Sequence, residues 1–264
     1  MILDEIIEKR KIQLAAEKSR ISLEEQKKLA DIAPAPKGFG RALRANGLSV
    51  ISEVKKASPS KGLIQPDFDP VKIAAAYEKA GAAAISCITE EHYFQGSSEY
   101  LRKIVENVKI PVLRKDFIFD EYQIYEARAL GADAVLLIAA VLDDNRLKTL
   151  FNLAKSLGLD VLGEAHDENE VRRLVSAGFG IIGVNNRNLK TFEVSLENTR
   201  RLSALVPENA VFVCESGIKD NVDMRFAKSC GADAVLIGET LMRSGLAGIP
   251  DCLSLIHISE PTRR

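Results

Sequence analysis

Eight short apolar stretches recur along the chain, near residues 48–54, 83–88, 110–115, 133–138, 160–165, 181–185, 210–215 and 233–238, separated by longer segments with helical spacing. Runs of this length, rich in Val, Ile and Leu and without polar alternation, are the pattern of parallel strands buried on both faces. A quasi-repeat reinforces it: GAAAISCI (81–88), GADAVLLI (131–138), GFGIIGVN (178–185) and GADAVLIG (231–238) each set a glycine at a helix end just before an apolar run. The repeats lie roughly 50 residues apart, about two βα units. The pattern predicts an α/β fold, a (β/α)8 barrel over residues 47–252, with an open doubly wound sheet as the alternative because periodicity alone does not prove closure.

Residues 1–46 precede the first strand and read as a helical extension, broken at APAPKGFG (33–40), where two prolines cannot continue a helix. This extension is expected to pack over one end of the barrel. After the eighth strand a covering helix is expected, yet Gly245, Gly248 and Pro250 interrupt the segment almost at once. Residues 253–264 lack a helical period and read as a non-native tail replacing the end of a truncated eighth helix.

Several strand-like runs end in a polar group whose neighbour two positions back is apolar or glycine: Ile51 and Glu53, then Lys55; Leu113 and Lys115; Leu162 and Glu164; Gly183 and Asn185; Val213 and Glu215. Positions i and i+2 share a strand face. A ring of such strands therefore gathers three Glu, two Lys and one Asn at one mouth, which is the signature of an active site rather than of packing.

Composition narrows the function classes. A net charge of −1 and a pI near 6.4 give no broad positive field, which argues against nucleic acid as a partner. No run approaches the ~20 apolar residues of a membrane span, and the charged N-terminus lacks a signal core, so a cytoplasmic protein that does not engage membranes is expected. Cys87, Cys214, Cys230 and Cys252 form no CxxC pair and suit reduced thiols, and the three histidines have no metal-ligand spacing, so no metal is expected. His92 reads as a loop residue and His166 as a surface one.

The string ISEVKKASPSKG (51–62) carries Glu53 and Lys55 into a loop of Ser, Pro, Lys and Gly, a composition suited to covering an anionic ligand. Together with ITEEHYFQGS (88–97), VLRKDFI (112–118), GEAHD (163–167), GVNNRNL (183–189), ESGI (215–218) and LIGETLM (236–242), in order and at strand ends, it makes the chain resemble the indole-3-glycerol phosphate synthase family over about residues 1–243. The resemblance implies a (β/α)8 barrel with an N-terminal helical extension. It also implies conversion of 1-(2-carboxyphenylamino)-1-deoxyribulose 5-phosphate into indole-3-glycerol phosphate with release of carbon dioxide and water, a phosphorylated small-molecule substrate, and no metal or organic cofactor; a monomer is expected, although the sequence itself carries no sign of oligomeric state.

By that resemblance Lys115 is the catalytic lysine, Lys55 shares its role or holds the substrate carboxylate, and Glu53 donates or relays a proton when water leaves. Glu164 faces the anilino nitrogen; Asn185 and Glu215 orient hydroxyls, and Glu215 tunes the lysines. Ser216, Gly217, Gly238 and Glu239 at the ends of the last two strands, with Lys55 and Ser58, are the expected phosphate site, although the charge of Glu239 is awkward beside an anion. Phe94, Leu113, Phe117, Leu136, Leu189 and Ile237 are candidates for an apolar ring slot, and Arg187 for a loop brace. A different sugar-phosphate barrel enzyme, including an aldolase with Lys115 as Schiff-base nucleophile, and a non-catalytic phosphate-ligand binder are the competing readings.

Overall fold

The computed structural model describes residues 2–44, 47–188 and 191–256. Eight parallel strands, β1 (Ser49–Val54), β2 (Ala84–Ile88), β3 (Val112–Lys115), β4 (Ala134–Ile138), β5 (Asp160–Ala165), β6 (Ile181–Asn185), β7 (Val211–Glu215) and β8 (Ala234–Ile237), close into a barrel. Closure is explicit in the register: β1 pairs with β2 through Glu53 and Ser86 and with β8 through Ile51 and Leu236. Eight-stranded closure with intervening helices is the TIM-barrel architecture, and it removes the open-sheet alternative.

Strand alternation divides the apolar residues into two cores. Ile51, Leu113, Leu136, Leu162, Val213 and Leu236 point inward and fill the barrel, while Val50, Ile85, Val135, Ile182 and Val235 point outward against the helices. That outer layer is formed by α4 (Pro70–Lys79), α5 (Ser98–Asn107), α6 (Glu121–Ala129), α7 (Asp144–Ser156), α8 (Glu168–Ala177), α9 (Glu197–Ser203) and α10 (Asn221–Ser229). Five of these helices start on an aspartate whose side chain accepts a first-turn amide: Asp69, Asp120, Asp143, Asp167 and Asp220. Such caps contribute about 1 kcal/mol each.

The quasi-repeat has a local cause. Gly178 ends α8 in the left-handed region (φ 89°), where a side chain would be strained. The aspartate of each GADA copy ties its strand to the preceding one: Asp133 accepts the Val112 amide (2.7 Å) and Asp233 the Phe212 amide (2.8 Å).

The N-terminal extension serves both ends of the barrel rather than one. Helix α1 (Ile2–Arg20) lies at the C-terminal mouth, where Ile2, Leu3 and Ile6 help form the cavity wall. Arg10, fully buried, grips Asp116 (Nε to Oδ1, 3.2 Å) beside the end of β3. Helix α2 (Leu23–Ile32) docks on α6, with Gln26 donating to the Tyr122 hydroxyl (3.1 Å). After the expected break, α3 (Phe39–Leu43) inserts Phe39 and Leu43 into the inner core from below.

The C-terminal segment departs from its expected interruption. Following α11 (Glu239–Arg243), the chain is helical over α12 (Gly245–Ile256) with Pro250 inside it. Ile249 and Leu253, four residues apart, are buried, and the helix packs against α4, α10 and α11. Burial of this stripe outweighs the hydrogen bond that Pro250 cannot make. The barrel's final gap is thus covered through residue 253, and residues 257–264 of the expected tail lie outside the described residues. Leu253→Ala is accordingly expected to cost about 2–5 kcal/mol, as for other buried leucines. Urea unfolding checks this: an unchanged midpoint would show that the segment contributes nothing to stability.

Candidate active site

The six polar residues placed at strand ends meet around one cavity of about 780 Å³ at the C-terminal mouth. Glu53, Glu164 and Glu215 are buried beneath it, while Lys55 and Lys115 are partly open to it. Lys115 Nζ lies 3.4 Å from Glu164 Oε2 and 3.8 Å from Glu215 Oε2. Lys55 Nζ donates to Glu53 Oε1 at 2.6 Å, and Asn185 Nδ2 donates to Glu164 Oε1 at 3.2 Å.

Electrostatics separate these groups. Burial alone would lower the Lys115 pKa, but Glu164, Glu215 and Glu53 around it reverse the shift and hold the side chain as an ammonium. Glu53 and Glu164 are pushed up by burial and pulled back below the usual carboxylate range, Glu53 chiefly by Lys55 and Lys115, Glu164 chiefly by Lys115. Glu215 differs: burial and the negative charge of Glu164 raise it well above that range, so of the coupled pair it holds the proton. Gly183 makes this arrangement possible, because a Cβ at that position would run into the Glu215 carboxylate.

The rim supplies the remaining candidates. Ser58, Phe94, Phe117, Leu136, Arg187, Ser216, Gly217, Ile237, Gly238 and Glu239 all border the cavity. Phe94 and Phe117 stand as a tilted pair with centroids 6.2 Å apart, forming an apolar wall. Arg187 donates to the Phe192 carbonyl (3.3 Å), the brace expected of it, while also facing the cavity. Ser216 adopts φ 66°, an uncommon conformation for serine, which turns the chain at the end of β7. The Glu239 carboxylate is paired with Arg243 (3.0 Å) and Lys61 (3.7 Å), which offsets its charge at the cavity rim.

One candidate needs correction. Leu113 is not part of the cavity wall; it sits one residue pair below Lys115 in the packed inner core. Ile237 reaches the wall but packs in the outer core, and the inward position on β8 belongs to Leu236. Leu189 lies outside the described residues.

Sequence reasoning missed Ile2, Leu3 and Ile6, which arrive from α1, and Ile88 and Ile138, the last inward residues of β2 and β4. It also missed Glu90, whose buried carboxylate accepts the amides of His92, Tyr93 and Phe94 (2.8–2.9 Å) and so fixes the Phe94 loop. His166 is not a surface residue: its side chain is 14% exposed and reaches Glu164. Among the described residues no group of three His, Cys, Asp or Glu is arranged to hold a metal ion, and no helix is long and apolar enough to cross a membrane.

The family model described as indole-3-glycerol phosphate synthase matches residues 3–247. The chain belongs to this family. It is 51% identical over 247 residues to the indole-3-glycerol phosphate synthase of Acetivibrio thermocellus, spanning 92% of this chain and 95% of that one. It is 52% identical over 250 residues to that of Ruminiclostridium cellulolyticum, spanning 94% and 96%. Solved structures share the barrel without close sequence kinship. Thiamine phosphate pyrophosphorylase from Pyrococcus furiosus aligns with a TM-score of 0.59 at 15% identity, over 79% of this chain and 93% of that one. An N-acetylmannosamine-6-phosphate 2-epimerase from Clostridium perfringens gives 0.59 at 16%, over 74% and 88%. These two likenesses concern the fold alone. Indole-3-glycerol-phosphate synthases are carboxy-lyases of tryptophan biosynthesis, and that is the enzyme class of this chain.

Proposed function

We infer that the cavity performs the family's ring closure, converting 1-(2-carboxyphenylamino)-1-deoxyribulose 5-phosphate into indole-3-glycerol phosphate with loss of carbon dioxide and water, and that Lys115 is its acid. The single observation carrying this assignment is Lys115 Nζ at the barrel mouth, 3.4 Å from Glu164 Oε2 and 3.8 Å from Glu215 Oε2. As the aromatic carbon attacks the substrate ketone, the ketone oxygen becomes basic and must gain a proton. A lysine kept charged can donate it. The same environment disfavours a Schiff-base role, which needs the neutral amine.

Carbon dioxide then leaves from the former carboxylate carbon and restores aromaticity. The new hydroxyl must next depart as water. Glu53 is held ionised, so it acts as a relay, accepting the Lys55 proton across their 2.6 Å contact and passing it to the departing oxygen, while the C–H proton lost from the adjacent ring carbon as the double bond forms returns to the neutral Lys55. Glu164, anionic and braced by Asn185, stabilises positive charge developing on the ring nitrogen. Glu215, carrying a proton, is suited to hydrogen-bond a substrate hydroxyl. Phe94 and Phe117 supply the ring slot.

The phosphate is assigned to the ends of β7 and β8, around Ser216, Gly217, Gly238 and the Glu239 amide, with Lys55 and Ser58 closing it from the β1 loop. Lys61, Lys219 and Arg243 also line the cavity, Lys61 and Arg243 together outweighing the single charge of Glu239 with which they pair. All these groups come from one chain, which supports action as a monomer, and the free cysteines Cys87 and Cys214, both buried, suit the reducing cytoplasm.

The chain has no Trp and five Tyr, so indole formation can be followed by fluorescence against a low protein background. Addition of the carboxyphenylamino substrate to folded protein is expected to give an indole signal with stoichiometric carbon dioxide release. A folded sample that yields neither refutes the assignment.

A further inference from the structure

Beyond the strand-end residues, one ionisable group touches the reacting set without a role in the steps above. His166 directly follows β5, two positions after Glu164, so its ring lies on the same side as that carboxylate and reaches it. The first turn of α8 fixes the ring: Glu170 Oε2 accepts both the His166 amide (2.7 Å) and Nδ1 (3.2 Å). A carboxylate accepts only from a protonated nitrogen, so Nδ1 carries hydrogen. Asn198 on α9 holds the same residue's carbonyl at 3.1 Å. Nε2 is thereby left buried, with no hydrogen bond among the described residues, facing Glu164 Oε1 at 3.4 Å.

Glu164 is thus addressed from three elements: by Lys115 on one oxygen, and by Asn185 and His166 on the other. We propose that His166 is a positioning residue of this reaction: pinned through Nδ1 by Glu170, it presents Nε2–H to Glu164 Oε1 and fixes that carboxylate, as an anion, toward the ring nitrogen of the substrate. The inference rests on the role given to Glu164 above. The charged groups facing the ring are Glu170, Glu164 and Lys115; burial would lower the His166 pKa, but the two carboxylates outweigh burial and the lysine and raise it above the usual histidine value. The imidazolium therefore persists to higher pH than in the unfolded chain, and the brace is lost as pH rises through the folded value.

The test compares kcat, KM and their pH dependence in wild type, His166→Leu, His166→Gln and Glu170→Gln, together with 15N imidazole titrations, simplified because the chain has only three histidines. His166→Leu is expected to lower kcat roughly 10- to 100-fold, the cost of a misplaced catalytic group, with little change in KM. His166→Gln, whose amide can still donate, should recover most of kcat but lose the alkaline limb of the profile. Glu170→Gln should move that limb to lower pH, and it carries the kinetic test should the leucine variant not fold. In the titrations, Glu164→Gln should lower the His166 pKa. Unchanged kcat and profile in His166→Leu and Glu170→Gln, or a His166 titration indifferent to Glu164→Gln, would overturn the proposal. The titrations read the coupling with no substrate present, so an inactive wild type would count against the functional reading alone.

Discussion

Lys115→Met should all but abolish indole formation, lowering kcat by about 10³-fold or more while KM changes only severalfold. General acid catalysis by one positioned group is typically worth about 10²- to 10⁴-fold, and here the same ammonium also supplies the charge that meets the developing oxyanion. Binding should suffer less, because the phosphate and ring subsites draw on other residues. The substitution has a second consequence. Removing the cation leaves Glu53, Glu164 and Glu215 buried together, so protons must be taken up where Lys115 stood. The variant should therefore be less stable at high pH than at low pH, since its carboxylates fold best when neutral. Single-turnover fluorescence on a sample shown to be folded separates the two effects. Turnover within tenfold of wild type in that sample would remove Lys115 from the acid's place and shift it to Lys55.

The barrel is legible in the sequence because burial on both faces leaves an unmistakable mark. Each apolar run locates its strand to within two residues at either end, as with 110–115 against the observed Val112–Lys115, where Pro111 delays the start. Strand parity then brings Glu53, Lys115, Glu164, Asn185 and Glu215 into one mouth without further information, because i and i+2 share a face in any strand. Parity does not encode depth, so it gives no sign that Leu113 lies one layer below the wall. It holds at the strand ends as well: Ile237, the final residue of β8, keeps the outward face next to inward Leu236, and His166, two positions after Glu164, lies on that residue's side. The wall contributed by α1 was illegible for a different reason: Ile2, Leu3 and Ile6 reach the cavity through a contact spanning more than a hundred residues in sequence, held by Arg10 and Asp116. Helix α12 reverses the local signal, since glycines and a proline argue for a break that burial of Ile249 and Leu253 overrides.

The same long-range contact makes Asp116→Ala the substitution expected to cost most stability. Asp116 is enclosed and accepts from Arg10 (3.2 Å), Arg114 (3.1 Å) and Thr89 (2.9 Å), so its removal takes the shared carboxylate from two buried guanidiniums and leaves, among the described residues, Glu17 as the remaining carboxylate of Arg10 and Glu126 as that of Arg114. Breaking a buried pair from one side costs about 3–5 kcal/mol, a large part of the 5–15 kcal/mol that typically separates folded from unfolded protein. By contrast, Lys18→Ala, which removes an exposed pair with Asp120, should cost less than about 1 kcal/mol. Urea denaturation of the two variants measures the difference, and equal midpoints would show the buried network to be dispensable. The pH dependence carries the opposite sign to that of the Lys115 variant. Burial would raise the Asp116 pKa, but Arg10 and Arg114 pull it below the usual value, so its contribution is fully present above the unfolded pKa and disappears as pH falls through the folded one. The Asp116→Ala penalty should therefore shrink in acid. Because Asp116 follows Lys115 directly and anchors the helix that walls the cavity, the variant that still folds should also bind substrate more weakly, with KM rising as α1 loosens.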